Sequence, residues 1–226
     1  MTELLDRVVW NTLCGPHARF AQGDELAKRF GPEIGPIAAA HDQSSECLEA
    51  LKALLVDDDD FLAVIEVSGI AIPDGLFAEK IAPIFQMTAD AITPGPEALD
   101  YVVLSDADAP AMLELAKLTE PGPFSTGTHK LGRFIGIKVD GRLAAMAGER
   151  MKLPGYTEVS AVCTHPDFQG RGYAAMLSRL VAQRILDRGE QPFLHAYESN
   201  QAAIALYEKL GFSIRQRLIV TMLRRG

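Results

Sequence analysis

The sequence is poor in cysteine. Three cysteines occur in 226 residues, at Cys14, Cys47 and Cys163, and none of them has the paired spacing of a metal site. An odd, small number of cysteines is typical of proteins in a reducing compartment. Because Cys163 lies within an apolar run, we interpret it as a buried and unreactive thiol. These observations predict a cytoplasmic protein that holds no metal.

Long apolar runs and an excess of positive charge are also missing. No uninterrupted apolar stretch is long enough to cross a bilayer, and none follows a basic start. The net charge is −8, which disfavours a broad electrostatic surface for nucleic acid. We therefore expect neither a membrane nor a nucleic acid among the partners. The 48% hydrophobic and 23% charged residues are instead typical of a globular protein with a sizeable core.

The chain is long enough for one large or two small domains. The segment Thr93-Pro-Gly-Pro96 is rich in residues that break helices and strands, which is typical of a domain boundary. It predicts a small α/β N-terminal domain of unknown role at residues 1–97 and a second domain at 98–226. Within the first, apolar spacing predicts a helix from Phe77 to Ala89 that is interrupted at Pro83. The first part carries no catalytic motif.

A strand, a turn and a helix in the second part predict an anion-binding site. The β-branched run from Val159 to Thr164 is typical of a buried strand. Gln169-Gly-Arg-Gly172 follows as a turn whose glycines allow positive φ. Helical spacing begins near Gly172, so unpaired N–H groups and the positive end of the helix dipole would face this turn. Such an arrangement favours phosphate.

Two common phosphate-binding motifs do not fit this turn. A P-loop requires Gly-Lys-Ser or Gly-Lys-Thr, and no such sequence follows Gly172. The dinucleotide motif requires a third glycine, where this chain has Ala175. The spacing therefore excludes these two motifs and leaves open the class of protein to which the turn belongs.

Two sequence patterns identify that class. The first is Gln-x-x-Gly-x-Ala from Gln169 to Ala174, and the second is Asn-x-x-Ala-x-x-x-Tyr-x-x-x-Gly-Phe from Asn200 to Phe212. Upstream, an Asp140-Gly141 turn between two apolar runs predicts a β-hairpin. With these features the sequence resembles the GCN5-related N-acetyltransferase (GNAT) superfamily, in particular its FR47-like branch, over about residues 98–223. The resemblance implies a mixed α+β or α/β fold, with a central, largely antiparallel mixed sheet and flanking helices.

The resemblance also implies an acyl-coenzyme A site. Backbone N–H groups of the turn would hold the diphosphate, while Arg171 either contacts phosphate or is a solvated turn residue. The end of the central strand would separate from the strand near Phe193, pair with the pantetheine arm and offer an N–H to the oxyanion. Asn200 matches a pantetheine-binding position and is also a candidate N-cap. The expected acetyl-CoA-binding residues are Val162, Cys163, Thr164, Gln169, Gly170, Arg171, Gly172, Tyr173, Ala174, Ala175, Asn200 and Tyr207.

Two catalytic roles are implied in the same way. Tyr207 matches the general acid that protonates the departing thiolate, and a phenol is protonated at neutral pH. Glu158 is the candidate general base, by its position relative to Gln169 in related acetyltransferases. Glu149 is an alternative base, and a third option is that neither residue acts, since a strand glutamate can simply pair with an arginine.

The expected function is transfer of an acyl group, most simply acetyl, from acetyl-CoA to a primary amine by direct attack in a ternary complex. The acceptor would be a small amine or an amino-acid-like molecule. The alternative is a non-catalytic acyl-CoA-binding or regulatory module with the same fold. Superfamily members often form homodimers, so a second copy of the chain is among the expected partners.

Overall fold

The computed structural model describes residues 3–96 and 100–226. No helix in these ranges is both long and apolar enough to cross a membrane. Short 3₁₀ turns occur at Ala18–Phe20, Asp106–Asp108, Thr128–Leu131 and Pro166–Phe168. The α-helices are α1 (Glu3–Asp6), α2 (Val8–Cys14), α3 (Ser45–Ala53), α4 (Ala109–Thr119), α5 (Tyr173–Asp187) and α6 (Gln201–Lys209).

The strands of the described ranges form one mixed, largely antiparallel sheet. Their order across it is β1-β2-β3-β4-β11-β5-β10-β9-β8-β7-β6, with parallel pairs at β3/β4 and β9/β10. The strands are β1 (Ala21–Gly23), β2 (Ala27–Phe30), β3 (Ile37–Ala40), β4 (Leu62–Glu66), β5 (Leu76–Thr88), β6 (Val102–Leu104), β7 (Phe134–Val139), β8 (Arg142–Leu153), β9 (Tyr156–Thr164), β10 (Gln191–Tyr197) and β11 (Ser213–Arg225). This arrangement confirms the predicted fold class.

Strands from the two halves of the chain alternate in the middle of the sheet. The last strand, β11, lies between β4 and β5, and β5 in turn pairs with β10. The predicted domain boundary, between residues 97 and 98, lies outside the described residues, and the division into two domains stays a prediction. The sheet itself continues across both halves, so the N-terminal strands contribute to the same surface as the C-terminal ones.

The helix predicted from Phe77 to Ala89 is wrong, because this segment is strand β5. The strand pairs with β11 along almost its whole length, from Leu76↔Arg225 to Thr88↔Ser213. Its pairing with β10 begins only at Ile84. Pro83 therefore lies one residue before the part of β5 that pairs with a strand on each side. At this position the missing N–H of proline is tolerated. Apolar spacing alone did not distinguish a helix from a strand whose partner is distant in sequence.

The predicted hairpin is present, and its turn follows from its residues. Asp140 and Gly141 have φ of 51° and 80°, and they connect β7 to β8. Both angles lie in the left-handed region that a two-residue hairpin turn requires, and Asp-Gly adopts them more readily than most pairs. The hairpin continues into β9, which pairs antiparallel with β8. Three successive strands therefore lead to the loop before α5.

Helices cover both faces of the sheet. Ile135 packs in the cluster beneath α5 and α6, whereas its neighbour Phe134 packs in the cluster beneath α4. Because adjacent residues of a strand point to opposite faces, α4 and α5 lie on opposite sides. On the face away from α5, helices α1 and α2 cover a further cluster that includes Phe193 and Val220.

A buried histidine connects the N-terminal segment to β8. His17 is 2% exposed, and its Nε2 donates to the carbonyl oxygen of Arg150 at 2.8 Å. Its Nδ1 is buried without a partner in the described residues. Burial lowers the pKa of His17 to about 4, although the bond to the Arg150 carbonyl opposes this change. The ring is therefore neutral in the folded protein at neutral pH.

The neutral His17 should make folding stability depend on pH. Between pH 6.5 and 4 the unfolded chain binds a proton at His17 that the folded chain does not, so stability falls as the pH falls. We expect a loss of about 2 kcal/mol between pH 6.5 and 5. Urea unfolding at the two pH values measures this difference. The His17→Gln variant keeps an N–H donor and cannot titrate, so its free energy of unfolding should fall less between the two pH values. Equal losses of stability in both proteins would contradict the role of His17 in the pH dependence.

Candidate active site

The site begins where two parallel strands separate. β9 and β10 pair from Tyr156↔Gln191 to Glu158↔Phe193, and the described pairing ends there. In the same stretch β9 is irregular against β8, and Ala161 has a φ of 50°. An L-residue in this region marks a local distortion of the strand. The separation that the sequence predicted for the end of the central strand is thus present in the structure.

The separated strands open into a cavity of about 290 Å³. The lining comes from β9, β10 and α6, and from apolar side chains of β3, β4, β5 and β11. The loop that follows α4 also lines it. The lining includes Val162, Cys163, Thr164, Gln169, Asn200 and Tyr207 of the predicted donor site and the apolar residues Ile37, Ala63, Ile65, Ile84, Val220 and Met222. The cavity therefore joins half of the predicted acetyl-CoA residues to a recess that the N-terminal strands help to build.

The turn before α5 lies at the margin of this cavity, where Gln169 is part of the lining. Gly170 and Gly172 both have a φ of 76°, with open space beside their α-carbons. In the described residues no acceptor is found for the backbone N–H groups from Gly170 to Ala175. These N–H groups lie together with the positive end of the dipole of the fifteen-residue helix α5. The geometry fits a diphosphate.

Arg171, Tyr173 and Ala174 belong to the same turn and first helical residues. The guanidinium carbon of Arg171 lies 5.1 Å from the centre of the Phe168 ring, so this exposed side chain is held beside the turn. Its position is open both to solvent and to an anion bound at the amides. The predicted contact with phosphate stays a prediction.

Of the two tasks that the sequence left open for Asn200, the structure shows the helix cap, and the contact with pantetheine stays a prediction. Its side-chain oxygen accepts from the Ala203 N–H at 3.1 Å and so caps α6. Its amide nitrogen has no partner in the described residues and faces the cavity region. Thr164 also lines the cavity, and its buried hydroxyl is unpaired among the described residues. Both groups are available to the polar atoms of a pantetheine arm.

Tyr207 of α6 lines the cavity. The residue is 8% exposed, and it packs with Phe212 at a ring distance of 6.1 Å. Burial raises the pKa of Tyr207 to about 12, with a smaller contribution from Cys163. Burial also raises the pKa of the Cys163 thiol to about 11, in agreement with an unreactive cysteine. Tyr207 is therefore a neutral phenol at neutral pH and can donate a proton.

Glu158 is enclosed by partners. Its carboxylate accepts from Nε and Nη2 of Arg150, each at 2.8 Å, and from the Met151 N–H at 3.2 Å. A fourth bond comes from Nδ1 of His195 at 2.8 Å. Burial alone would raise the pKa of Glu158, but Arg150 and then His195 outweigh it and lower the pKa to about 2. These contacts are those of a buried ion pair and weigh against the predicted role of general base.

The partners of His195 fix its proton. Nε2 of His195 lies 3.2 Å from the side-chain nitrogen of Gln86. That nitrogen also donates to the Leu5 carbonyl, while the Gln86 oxygen accepts from Arg215 at 2.7 Å. Gln86 must therefore donate to Nε2, so the proton of His195 lies on Nδ1 and points at Glu158. With both nitrogens engaged, His195 is not placed to take a proton from an acceptor.

Glu149, the alternative base, does not line the cavity. It is 1% exposed and pairs with Arg188 at 2.9 Å and with Lys152 at 2.8 Å. In contrast, Glu120 does line the cavity, and no described residue forms an ion pair or hydrogen bond with its carboxylate.

Sequence reasoning did not identify Glu120, Arg150 or His195 as site residues. A charged Arg150 within the apolar strand Leu143–Leu153 was the available signal, because a buried arginine requires an acidic partner. The register that brings Arg150 to Glu158 depends on the irregular pairing of β8 with β9, which local spacing does not encode.

Comparisons with known proteins agree with this geometry. The model of the FR47-like protein family matches residues 134–220. The ribosomal protein bS18-alanine N-acetyltransferase of Salmonella typhimurium is 34% identical over 117 residues, which cover 49% of this chain and 78% of that protein. A putative acetyltransferase from the GNAT family of Novosphingobium aromaticivorans is 44% identical, with a TM-score of 0.90 and 98% of both chains covered.

More distant structures show the fold alone. A GCN5-related N-acetyltransferase from Kribbella flavida has 17% identity and a TM-score of 0.67 over 98% of this chain and 95% of its own. The sheet with separated central strands, the glycine turn before α5 and the close relatives lead to one conclusion. The chain belongs to the GNAT family of acetyltransferases, and its residues 134–220 match the FR47-like family model.

Proposed function

We propose that the protein is an N-acetyltransferase that moves the acetyl group of acetyl-CoA to a primary amine by direct attack in a ternary complex. The observation that carries the proposal is the cavity between β9 and β10. It places Tyr207 and the end of β9 next to an apolar recess, with an unpaired set of backbone amides at its margin. A donor bound at the amides and an acceptor in the recess would meet at Tyr207.

The donor would be held along its length. The amides from Gly170 to Ala175 bind the diphosphate, and the amide nitrogen of Asn200 donates to the pantetheine arm. The exposed edge of β9 at Val162–Thr164 pairs with the arm as an added strand would. This arrangement brings the thioester to the end of β9, beside Tyr207.

The reaction then requires one bond to form and one to break. The amine nitrogen attacks the thioester carbonyl, and a backbone N–H near Cys163 stabilises the oxyanion. As the C–S bond breaks, the thiolate takes the proton of the Tyr207 hydroxyl. The attacking nitrogen releases a proton to water, and the Tyr207 phenolate takes a proton back from water, so that in net terms one proton leaves the amine and one ends on the thiol of coenzyme A.

The proton of the amine has no dedicated acceptor at Glu158. We propose that Glu158 holds Arg150 and His195 in place, and that water carries the amine proton toward Glu120. Glu120 follows α4 in a left-handed conformation, with a φ of 46°, in the loop that lines the cavity. An acid without an ion-pair partner among the described residues is a better proton acceptor than one held by four donors.

The function is tested by free-thiol release from acetyl-CoA with a panel of primary amines, with mass analysis of the acceptor. Thiol release that depends on the amine, together with an acceptor heavier by one acetyl group, is the expected result. Thermal stabilisation by coenzyme A without release from any amine would instead indicate a non-catalytic acyl-CoA-binding module.

A pair of glycine variants tests the diphosphate site. Gly172→Val places a β-branched side chain at a φ of 76° and should turn the neighbouring amides away. We expect the KM for acetyl-CoA to rise by at least about tenfold, the loss of roughly one charge-assisted hydrogen bond. Gly189→Val is the matched control, because Gly189 has a φ of 77° and equally open surroundings at the far end of α5. Similar KM values for acetyl-CoA in the two variants would show that the turn does not bind the donor.

A further inference from the structure

Arg150 lies in the cavity as a buried cation with one end free. The residue is 8% exposed, and it is part of the cavity lining. Its Nε and Nη2 are used by Glu158, in a bidentate pair of two 2.8 Å bonds. Its Nη1 donates to no group in the described residues. A buried guanidinium with an unused N–H group is a ready donor to a ligand oxygen.

The surroundings make Nη1 a directed donor. Glu158 balances the charge of Arg150 and fixes the plane of its guanidinium, and Glu158 is itself held by His195. A second carboxylate at Nη1 would therefore meet a rigid hydrogen-bond donor.

Part of the cavity lining is an apolar wall. It carries aliphatic side chains from four strands of the sheet, and they come from both halves of the chain. The contributing residues are Ile37, Ala63, Ile65, Ile84, Val220 and Met222. Such a surface favours an aliphatic group on the same molecule that binds Nη1.

We propose that the acceptor is an amino acid with a free carboxylate and an aliphatic side chain. The carboxylate accepts a hydrogen bond from Nη1 of Arg150, the side chain lies on the apolar wall, and the amine faces the thioester. The proposal rests on the proposed N-acetyltransferase function and narrows its acceptor. It assigns Arg150 as the residue that determines specificity, with Glu158 and His195 as the residues that position it.

The test compares matched acceptors in the thiol-release assay. For aliphatic amino acids with one to three carbons between amine and carboxylate, kcat/KM is measured for the acid, for its amide and for the decarboxylated amine. We expect at least one acid to exceed both matched compounds by about tenfold to a hundredfold, as a charge-assisted hydrogen bond implies. Amides and simple amines that react as well as the acids at all three lengths would overturn the proposal.

A double variant separates recognition from folding. Arg150→Gln combined with Glu158→Gln removes the donor and leaves no unpaired buried charge. The ratio of kcat/KM for acid over amide should fall toward one in this variant, and an unchanged ratio would contradict the role of Arg150. If the variant does not fold, the acceptor series with the native protein decides alone. If none of the tested amines supports thiol release, the N-acetyltransferase function itself is refuted. If acids and amides react equally well, only the carboxylate site is refuted.

Discussion

Replacement of Tyr207 by phenylalanine should lower kcat for acetyl transfer by about a hundredfold, the contribution typical of a positioned general acid. The phenol is 8% exposed, and burial raises its pKa to about 12, so it carries its proton at the pH of the assay. Phenylalanine keeps the ring and its packing against Phe212 but cannot protonate a thiolate. The hydroxyl forms no hydrogen bond within the described residues, so the substitution should leave the fold intact.

The dissociation constant of coenzyme A is the accompanying measurement. It should change little in Tyr207→Phe, because the diphosphate and the pantetheine arm contact other groups. Tyr101→Phe is the matched control, since Tyr101 lies near β6 at the far edge of the sheet and is 38% exposed. A kcat equal to that of the native protein would show that Tyr207 does not act as the general acid. A fall in kcat accompanied by an equal loss of coenzyme A affinity would show that Tyr207 is a binding residue.

Glu158→Gln should reduce the free energy of unfolding by about 3 kcal/mol, because it leaves the buried Arg150 without a counter-ion. Burial of both side chains makes this pair different from the surface pairs of the protein. Glu198→Gln, which breaks the exposed pair with Arg217, is the matched control and should cost less than about 1 kcal/mol. Urea unfolding of the two variants measures the contrast.

The same variant decides between a structural and a catalytic role for Glu158. If the ion pair is structural, the addition of Arg150→Gln should restore much of the lost stability, since removal of both charges is far less harmful than removal of one. If Glu158 is instead a general base, Glu158→Gln should unfold like the native protein and have a much lower kcat. A stable, slow enzyme would thus contradict the structural role of the ion pair.

Local signals in the sequence were sufficient for the elements that we propose to bind the donor. The turn of the β7–β8 hairpin depends on Asp140-Gly141, and the turn before α5 depends on Gly170 and Gly172. The cap of α6 depends on Asn200. In each case one or two residues determine the backbone conformation, because few other residues adopt positive φ or cap a helix. Short motifs of this kind can be read without knowledge of the fold.

The acceptor side could not be read in this way. β5 was mistaken for a helix because its partner, β11, lies at the other end of the chain. The sequence left open whether Glu158, Glu149 or neither acts as the base, because Arg150 and His195 reach Glu158 only through the pairing of β8, β9 and β10. The recess itself is formed by strands from both halves. Contacts between residues so far apart in the sequence form only when the sheet assembles, and the spacing of residues within one segment does not predict them.

The central claim is that the amides of the turn before α5 bind the diphosphate of coenzyme A. Isothermal titration of the native protein with coenzyme A and with pantetheine, which lacks the diphosphate, tests it most directly. We expect clear binding of coenzyme A and an affinity for pantetheine weaker by at least about a hundredfold, as the loss of several charge-assisted hydrogen bonds implies. No heat with coenzyme A, or equal affinity for the two compounds, would contradict the proposed function.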